Sequence, residues 1–295
     1  MAILTTAGSR EETPFYAAME RRFKELGYVE GKNLTFVWQS AGGRLDKIPE
    51  IAAGLARARP DVFIAPGSEI VLRSIRAVAG QAPIVMIAVD YDPVETNFVA
   101  SLARPGGNIT GLFLRQVESA AKRLEMLKEA LPRTGRVAVL WDSFTRDQLS
   151  FIDTAAKKLS LVLLPYEMQG NPYEFEPPLK DAREKRAEAV LALTSGSFFR
   201  VREKMMAAAH AQGLPVVANT NYAEAGALIA FGASFSQMFM RAAEYVDRIL
   251  KGAKPADLPV DQPDRYDLIV NLKTARALGL KIPQSVLLRA NRVIE

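Results

Sequence analysis

Residues 83–112 read PIVMIAVDYDPVETNFVASLARPGGNITGL, and this stretch decides the fold. The run at 83–89 is apolar and predicts a buried β-strand, which ends where Asp90, Tyr91 and Asp92 begin. Asp92 predicts the start of a helix, and a glycine-rich turn follows. In an open α/β sheet, ligands bind outside the carboxyl ends of the strands. The stretch therefore predicts a binding site rather than a catalytic one.

Strand and helix patterns alternate along the chain, as in parallel sheets with helical crossovers. The predicted strands are 3–6, 34–39, 61–65, 83–89, 109–114, 136–141, 161–165, 189–193, 215–218 and 228–231. The predicted helices are 14–26, 48–58, 70–79, 148–159, 177–186, 199–212 and 235–251. Because the pattern starts again near residue 136, we expect an α/β fold with two Rossmann-like lobes, each built on a parallel sheet.

Several short motifs match one known family. The run RPGGNITG at 104–111 follows DPV at 92–94 and VASL at 99–102. Further matches are LGYVEGKN at 26–33, KRLE at 122–125, RILKG at 248–252, NLKTA at 271–275, ALGL at 277–280 and Ile-Pro at 282–283. In their order and spacing, these motifs resemble those of the solute-binding proteins of ABC transporters. The similar branch has the type I periplasmic binding protein fold and includes tryptophan and tyrosine uptake receptors.

The resemblance implies a division of the chain into two lobes with three interlobe crossings. The crossings are expected near Phe113, Gly232 and Asp264. The N-terminal lobe would then contain residues 1–112 plus 233–263, and the C-terminal lobe would contain 113–232 plus 264–295.

The resemblance also implies a function. We expect a solute-binding receptor of an ABC importer that binds a small carboxylate, either an aromatic acid or an amino acid. The ligand would bind in the cleft between the lobes by hinge closure, and the closed form would meet an ABC permease at the membrane. The expected protein is a periplasmic monomer. The first nine residues are too short for an export signal, which we expect to have been removed.

Composition excludes several other classes. The chain has 295 residues, no cysteine and a formal net charge of +5. The absence of cysteine excludes disulfides and thiolate chemistry. The basic residues are dispersed, so no nucleic-acid partner is expected. The sequence contains no apolar run of 18 residues, so no membrane span is predicted.

Catalytic and cofactor motifs are incomplete. The segment at 27–33 lacks the spacing and the final Ser or Thr of a phosphate loop. The single histidine, His210, lies in a predicted helix whose neighbours look structural. Asp90 and Asp92 would lie about 7 Å apart on one strand face, but no histidine or third carboxylate is nearby in sequence to complete a metal site. We therefore expect no enzyme activity, no cofactor and no metal.

Short polar residues follow the strand ends, where hydroxyls, amides and helix-start N–H groups suit a carboxylate. Aromatic rings lie among them and suit a planar apolar group. The predicted ligand-binding residues are Ser9, Tyr16, Gly67, Ser68, Asp90, Tyr91, Asp92, Trp141, Ser143, Phe144, Thr145, Thr194, Ser195, Phe198, Asn219, Asn221 and Tyr222. Residues 141–145 depart from the loop common in the similar family, which leaves the ligand open.

Two chemical alternatives follow for the ligand. Asp90 or Asp142 would pair with the ammonium group of an amino acid. If the ligand is a simple aromatic acid, these carboxylates should face away from it or be neutralised.

Other functional classes also stay open. A ligand-sensing domain for signalling or transcription regulation would have the same fold, and a repressor would need a DNA-reading module before the first strand. An enzyme that uses Asp90 and Asp92 is the remaining alternative.

Overall fold

The computed structural model describes residues 1–6, 14–89, 91–170 and 172–295 of the chain. Packing divides the protein into two units. The first unit contains Met1–Arg115 and Phe235–Asp264, and the second contains Gln116–Ser234 and Arg265–Glu295. Each unit is therefore made of two separate stretches of the chain.

The chain passes between the units three times. The passages follow Arg115, Ser234 and Asp264. The passages expected from the sequence follow residues 112, 232 and 263. The observed passages after Arg115, Ser234 and Asp264 are called the first, second and third passage.

Helices and strands alternate in chain order. The first stretch contains β1 (Ala2–Thr5), α1 (Pro14–Glu25), β2 (Val37–Ser40), α2 (Ile48–Arg57), β3 (Phe63–Gly67), α3 (Glu69–Ala79), β4 (Ile84–Val89) and β5 (Ile109–Leu114). The next contains α4 (Val117–Ala130), β6 (Arg136–Trp141), α5 (Arg146–Lys158), β7 (Val162–Glu167), α6 (Glu176–Glu184), β8 (Ala189–Ala192), α7 (Gly196–Arg200), α8 (Arg202–Ala211), β9 (Val216–Ala218) and β10 (Ile229–Ala233). The last contains α9 (Phe235–Leu250), β11 (Tyr266–Asn271), α10 (Leu272–Ala277), α11 (Gln284–Arg289) and β12 (Arg292–Ile294).

The first unit is built on a parallel sheet with the strand order β2-β1-β3-β4-β5. Helices α2 and α3 pack together, and α1 packs against α9. Strands β3 and β4 are almost entirely buried, as expected for a parallel sheet covered on both faces. Because the sheet is parallel, β3 and β4 end at the same edge, where Gly67 pairs with Ala88.

The second unit has a seven-stranded sheet with the order β12-β11-β10-β9-β8-β6-β7. Strands β10 and β11 are antiparallel, and the other described pairs in this sheet are parallel. The sequence patterns predict neither β11 nor β12. Both strands follow the third passage. Because β11 is antiparallel to β10, the chain enters β11 at the opposite edge of the sheet from the one where β10 begins. The two predicted α/β sheets are present, with this antiparallel pair added.

The helix predicted at Asp92 is a single turn. The Asp92 carboxylate accepts hydrogen bonds from the amides of Val94 (2.7 Å) and Glu95 (3.2 Å), as a helix N-cap does. The turn stops at Asn97, where φ is +57°. A left-handed residue ends a helical turn, and the helix therefore does not continue.

The part of the chain that the structure describes contains no helix that is both long enough and apolar enough to cross a membrane.

Candidate functional site

In the first unit, two buried hydroxyls lie just after neighbouring strands. Ser68 follows β3 and is the N-cap residue of α3, but its side chain makes no capping hydrogen bond. Tyr91 comes shortly after β4. The Ser68 Oγ and the Tyr91 hydroxyl are both buried and have no hydrogen-bond partner among the described residues. Within the described residues, the hydrogen-bonding capacity of these two hydroxyls is therefore unused.

The Tyr91 hydroxyl is held in its protonated form. Burial raises the pKa of Tyr91, and the negative charge of Glu69 adds a smaller contribution in the same direction. The Tyr91 ring packs against Phe98 in an edge-to-face contact, with the centroids 6.0 Å apart. The ring is thus fixed by packing while its hydroxyl stays able to donate a hydrogen bond.

Gly67 makes the turn between β3 and α3. Its φ is +96°, a conformation that favours glycine. A Cβ atom at this position would lie 3.9 Å from Thr6 Oγ1, so backbone conformation rather than crowding requires glycine here. This turn places Ser68 at the edge of the sheet.

Two other predicted residues of this unit, Tyr16 and Asp92, are used in the structure of the unit itself. Tyr16 is buried among aromatic rings, 4.1 Å from Trp38 and 4.8 Å from Phe239 by centroid distance, and so contributes to the core. Asp92 caps its own turn. Ser9 and Asp90 lie outside the described residues.

In the second unit, a buried carboxylate joins three loops. Asp142 follows β6 and is 1% exposed. Its Oδ1 accepts from the amide of Phe144 (3.1 Å), and its Oδ2 accepts from Ser195 Oγ (2.6 Å) and the Tyr173 hydroxyl (3.2 Å). Burial raises the pKa of the Asp142 carboxyl, and the hydrogen bonds from Ser195 and Tyr173 oppose this rise. Asp142 therefore organises the carboxyl edge of this sheet.

The loop after β6 also closes on itself. Thr145 Oγ1 accepts from the Asp142 amide (2.9 Å) and lies 3.1 Å from the Asp142 carbonyl oxygen, to which it donates. Ser143 and Phe144 lie at the exposed tip of this loop, and the Phe144 side chain is 39% exposed. Of these predicted residues, Phe144 presents apolar surface to solvent, whereas Thr145 is buried and structural.

Thr194 follows β8 and is held by one side chain. The Gln148 amide donates to the Thr194 carbonyl (3.0 Å) and accepts from the Thr194 amide (3.1 Å). The Thr194 hydroxyl oxygen is buried and has no hydrogen-bond partner among the described residues. Gln148 thus fixes the backbone of Thr194, while the Thr194 hydroxyl takes no part in this pair of hydrogen bonds.

Ser195 and Tyr222 connect neighbouring loops of the second unit. Ser195 Oγ caps α7 by accepting from the Phe198 amide (3.1 Å) while it donates to Asp142. The buried Tyr222 hydroxyl donates to the Ser195 carbonyl at 3.4 Å. Both side chains therefore hold the edge of the sheet together.

The amides after β9 form a small network. Asn219 Oδ1 accepts from the Asn221 amide (3.1 Å) and from the Thr220 hydroxyl (3.2 Å). Asn219 Nδ2 donates to Gln116 Oε1 at 3.5 Å. Asn219 is buried, whereas Asn221 is half-buried.

The predicted aromatic residues fall into two groups. Phe198 is buried, with its ring centroid 5.3 Å from that of Tyr173 and 6.3 Å from that of Phe175. Trp141 is largely buried, and the Arg146 guanidinium lies 5.3 Å from its ring centroid. Both residues are chiefly packing residues, whereas Phe144 is exposed.

Sequence reasoning did not place Tyr173, Gln148 or Arg123 at this edge. Tyr173 lies in a loop without a regular pattern, so no local signal marks it. Arg123 carries a signal, because it lies between Ala120 and Leu127 on the buried face of α4. A charged residue at an apolar position of a helix indicates a specific hydrogen-bonding role.

The described residues contain no group of three His, Asp or Glu side chains that could hold a metal ion. His210 lies in α8, away from the strand ends, and its ring approaches Gly226. The arrangement at the strand ends provides neutral hydrogen-bond donors and aromatic surface, which are suited to binding.

Comparison with known proteins gives the family. Residues 15–294 match the model of the ABC transporter substrate binding protein family. A tyrosine-binding protein of Clostridioides difficile is 23% identical over 271 residues, which cover 88% of this chain and 75% of that protein.

Two solved structures have the same fold. A conserved domain protein of Vibrio cholerae O1 biovar El Tor has a TM-score of 0.88 and 27% identity, with 99% of this chain and 98% of that chain covered. The ABC domain of Streptococcus pneumoniae in complex with L-Trp has a TM-score of 0.86 and 21% identity, with the same coverage of 99% and 98%. The family is one of substrate-binding proteins rather than enzymes. Since the family model spans nearly the whole chain, the protein belongs to the ABC transporter substrate-binding protein family.

Proposed function

We propose that the protein is the solute receptor of an ABC importer and that it binds a small carboxylate with an aromatic group. The observation that carries this proposal is a set of three buried hydroxyls at strand ends. Ser68, Tyr91 and Thr194 have no hydrogen-bond partner for these hydroxyls among the described residues. All three residues belong to the predicted ligand-binding set.

The energetic argument concerns the cost of these hydroxyls. A buried polar group without a partner costs about 1–3 kcal/mol. A ligand that accepts hydrogen bonds from the hydroxyls would recover this free energy on binding. A carboxylate suits them best because it is an acceptor only, and because Tyr91 remains a donor at neutral pH.

The environment of Asp142 bears on the ligand's amino group. Its carboxylate already accepts three hydrogen bonds from within the second unit and is nearly inaccessible. It is therefore poorly placed to pair with a ligand ammonium. The burial of Asp142 therefore favours an aromatic acid without an amino group.

The similarity to a tyrosine-binding protein and to a domain that binds L-Trp favours instead an aromatic amino acid, with Asp90 as the partner of the ammonium.

Binding would be coupled to closure of the two units. If the ligand contacts residues of both units only in a closed form, its binding free energy shifts the population toward that form. The closed form would then be recognised by a membrane permease, with the protein acting as a monomer in the periplasm. No nucleotide-binding motif is present in the sequence, so a separate ATPase would supply the energy.

Thermal denaturation against a matched ligand panel tests this proposal. The panel contains L-tryptophan, L-tyrosine, indole-3-propionate and benzoate, so that the amino group and the ring vary separately. A ligand present at 100 times its Kd should raise the unfolding free energy by about 2.7 kcal/mol. We expect at least one aromatic carboxylate to give such a shift, and calorimetry would then give its Kd.

Two tyrosine variants separate ligand binding from stability. Tyr91→Phe removes a hydroxyl without a described partner, so we expect weaker binding by about 1–3 kcal/mol and no loss of stability in the free protein. Tyr245→Phe is the control, because this hydroxyl donates to the Pro259 carbonyl at 2.6 Å. The control should lower stability and leave the Kd unchanged.

The proposal fails if no panel member raises the melting temperature and native mass spectrometry shows that the purified protein carries no ligand. Equal Kd values for the wild type and Tyr91→Phe would instead exclude Tyr91 from the site.

A further inference from the structure

A fully buried arginine lies where α4 packs against the sheet of the second unit. Arg123 is 0% exposed, and the other buried residues of α4 are apolar apart from Ser119. Burying a guanidinium group is costly unless hydrogen bonds replace its water. The partners of Arg123 should therefore show what the residue does.

The partners of Arg123 lie beside two passages of the chain between the units. Arg123 Nη2 donates to Gln116 Oε1 at 2.9 Å, and Gln116 is the first residue of the second unit after the first passage. Arg123 Nε donates to the Phe231 carbonyl at 2.8 Å. Phe231 lies in β10, just before the second passage after Ser234.

The third passage is tied to the same strand. Tyr266 is the first residue of β11 and pairs with Ala233, while Leu268 pairs with Phe231. The rings of Phe231 and Tyr266 are stacked, with the centroids 5.9 Å apart and an interplanar angle of 19°. All three passages are therefore connected through β10 on the side of the second unit.

We propose that Arg123 is a positioning residue for the hinge. Its hydrogen bonds to Gln116 and Phe231 hold the segments next to the first and second passages in one arrangement. The pairing of β10 with β11 fixes the segment after the third passage in the same way. Hinge motion is absorbed by a few residues at the ends of elements, so fixing those ends restricts the motion to few conformations. The inference rests on the hinge closure of the proposed function, but not on the identity of the ligand.

The same network reaches a predicted ligand-binding residue. Gln116 Oε1 accepts from Asn219 Nδ2 as well as from Arg123. A Cβ atom at Gly232 would lie 2.6 Å from Asn219 Nδ2 and 3.4 Å from Arg123 Nη2. Close packing against β10 is thus shared by the side chains of Asn219, Gln116 and Arg123. A ligand that contacts Asn219 would therefore act on a residue that is hydrogen-bonded to the network beside the passages.

Distances between spin labels in the ligand-free protein test the proposal. Because the chain has no cysteine, Arg57→Cys and Lys180→Cys give one label in each unit, at exposed positions on α2 and α6. Double electron–electron resonance then gives the distribution of the distance between the labels. We expect Arg123→Lys to broaden this distribution, because an ammonium cannot reproduce the two directed bonds of the guanidinium.

Three further variants make the test specific. Gln116→Leu removes the side-chain acceptor and should also broaden the distribution, whereas Gln116→Glu keeps an acceptor for Arg123 and should restore the narrow form. Lys122→Met removes the adjacent cation of the same helix, which pairs with Glu125, and should leave the distribution unchanged.

The outcomes separate a hinge role from simple stabilisation. If Arg123→Lys lowers the unfolding free energy and leaves the distribution unchanged, Arg123 only supports the core of the second unit and the proposal is overturned. If Arg123→Lys does not fold, the comparison of Gln116→Leu with Gln116→Glu decides. Because no ligand is added, failure of the ligand panel would not affect this result.

Discussion

At the scale of single residues, His210 gives the protein a dependence of stability on pH. Burial lowers the pKa of His210 below its ordinary value of 6.5, and a hydrogen bond with Gly226 opposes this change. The unfolded chain therefore binds a proton at a higher pH than the folded protein. We expect the contribution of His210 to stability to be complete above pH 6.5 and to fall as pH decreases from there toward the folded pKa.

Urea denaturation of the wild type and His210→Gln at pH 7.5 and pH 5.5 measures this effect. We expect the wild type to lose more unfolding free energy than the variant between the two values. An equal loss in both proteins would show that other groups determine the acid sensitivity.

Asp142 is the residue whose removal should most disturb the predicted binding edge. Asp142→Ala leaves the Ser195 hydroxyl, the Tyr173 hydroxyl and the Phe144 amide without their shared acceptor. We expect the unfolding free energy at pH 7 to fall by about 1–3 kcal/mol, as measured by chemical denaturation. Asp153→Ala is the control, because this carboxylate is exposed and forms a surface ion pair with Lys157. A similar small loss in both variants would contradict the role given to Asp142.

At the scale of secondary-structure elements, β10 depends on a close approach at Gly232. Gly232→Ala would place a Cβ atom against Asn219 and Arg123, so we expect a loss of about 1–3 kcal/mol in unfolding free energy. Gly54→Ala is the matched control, because Gly54 lies inside α2 with no atom within 4 Å of the added Cβ. This variant should raise stability by about 0.5–1 kcal/mol through helix propensity. Thermal denaturation of both variants checks the two signs, and a stable Gly232→Ala protein would contradict the packing described.

Element-scale prediction from the sequence succeeded where burial was strong. The strands predicted at 83–89 and 136–141 appear as Ile84–Val89 and Arg136–Trp141, because long apolar runs leave few alternatives. The prediction of a helix that starts at Asp92 is wrong, because the left-handed conformation of Asn97 ends it after a single turn. The patterns also miss β11 and β12, and for β12 the reason is that a strand of three residues carries little periodicity.

At the scale of the whole molecule, two units share one chain that passes between them three times. The repeated strand–helix pattern and the family motifs predict this organisation. The different roles of the candidate binding residues, by contrast, become apparent only from the three-dimensional structure. Ser68, Tyr91 and Thr194 have hydroxyls at strand ends without a described hydrogen-bond partner. Thr145 and Phe198, by contrast, are used in loop structure and packing.

The sequence by itself determined the fold class and the family, because apolar periodicity and motif order are local properties of the chain. Only the tertiary structure decided which polar side chains are already satisfied. Asp142 meets Ser195 and Tyr173, and Arg123 meets Phe231, across separations of 53, 31 and 108 residues. Such partners are chosen by sheet order and helix packing, and no local pattern records them.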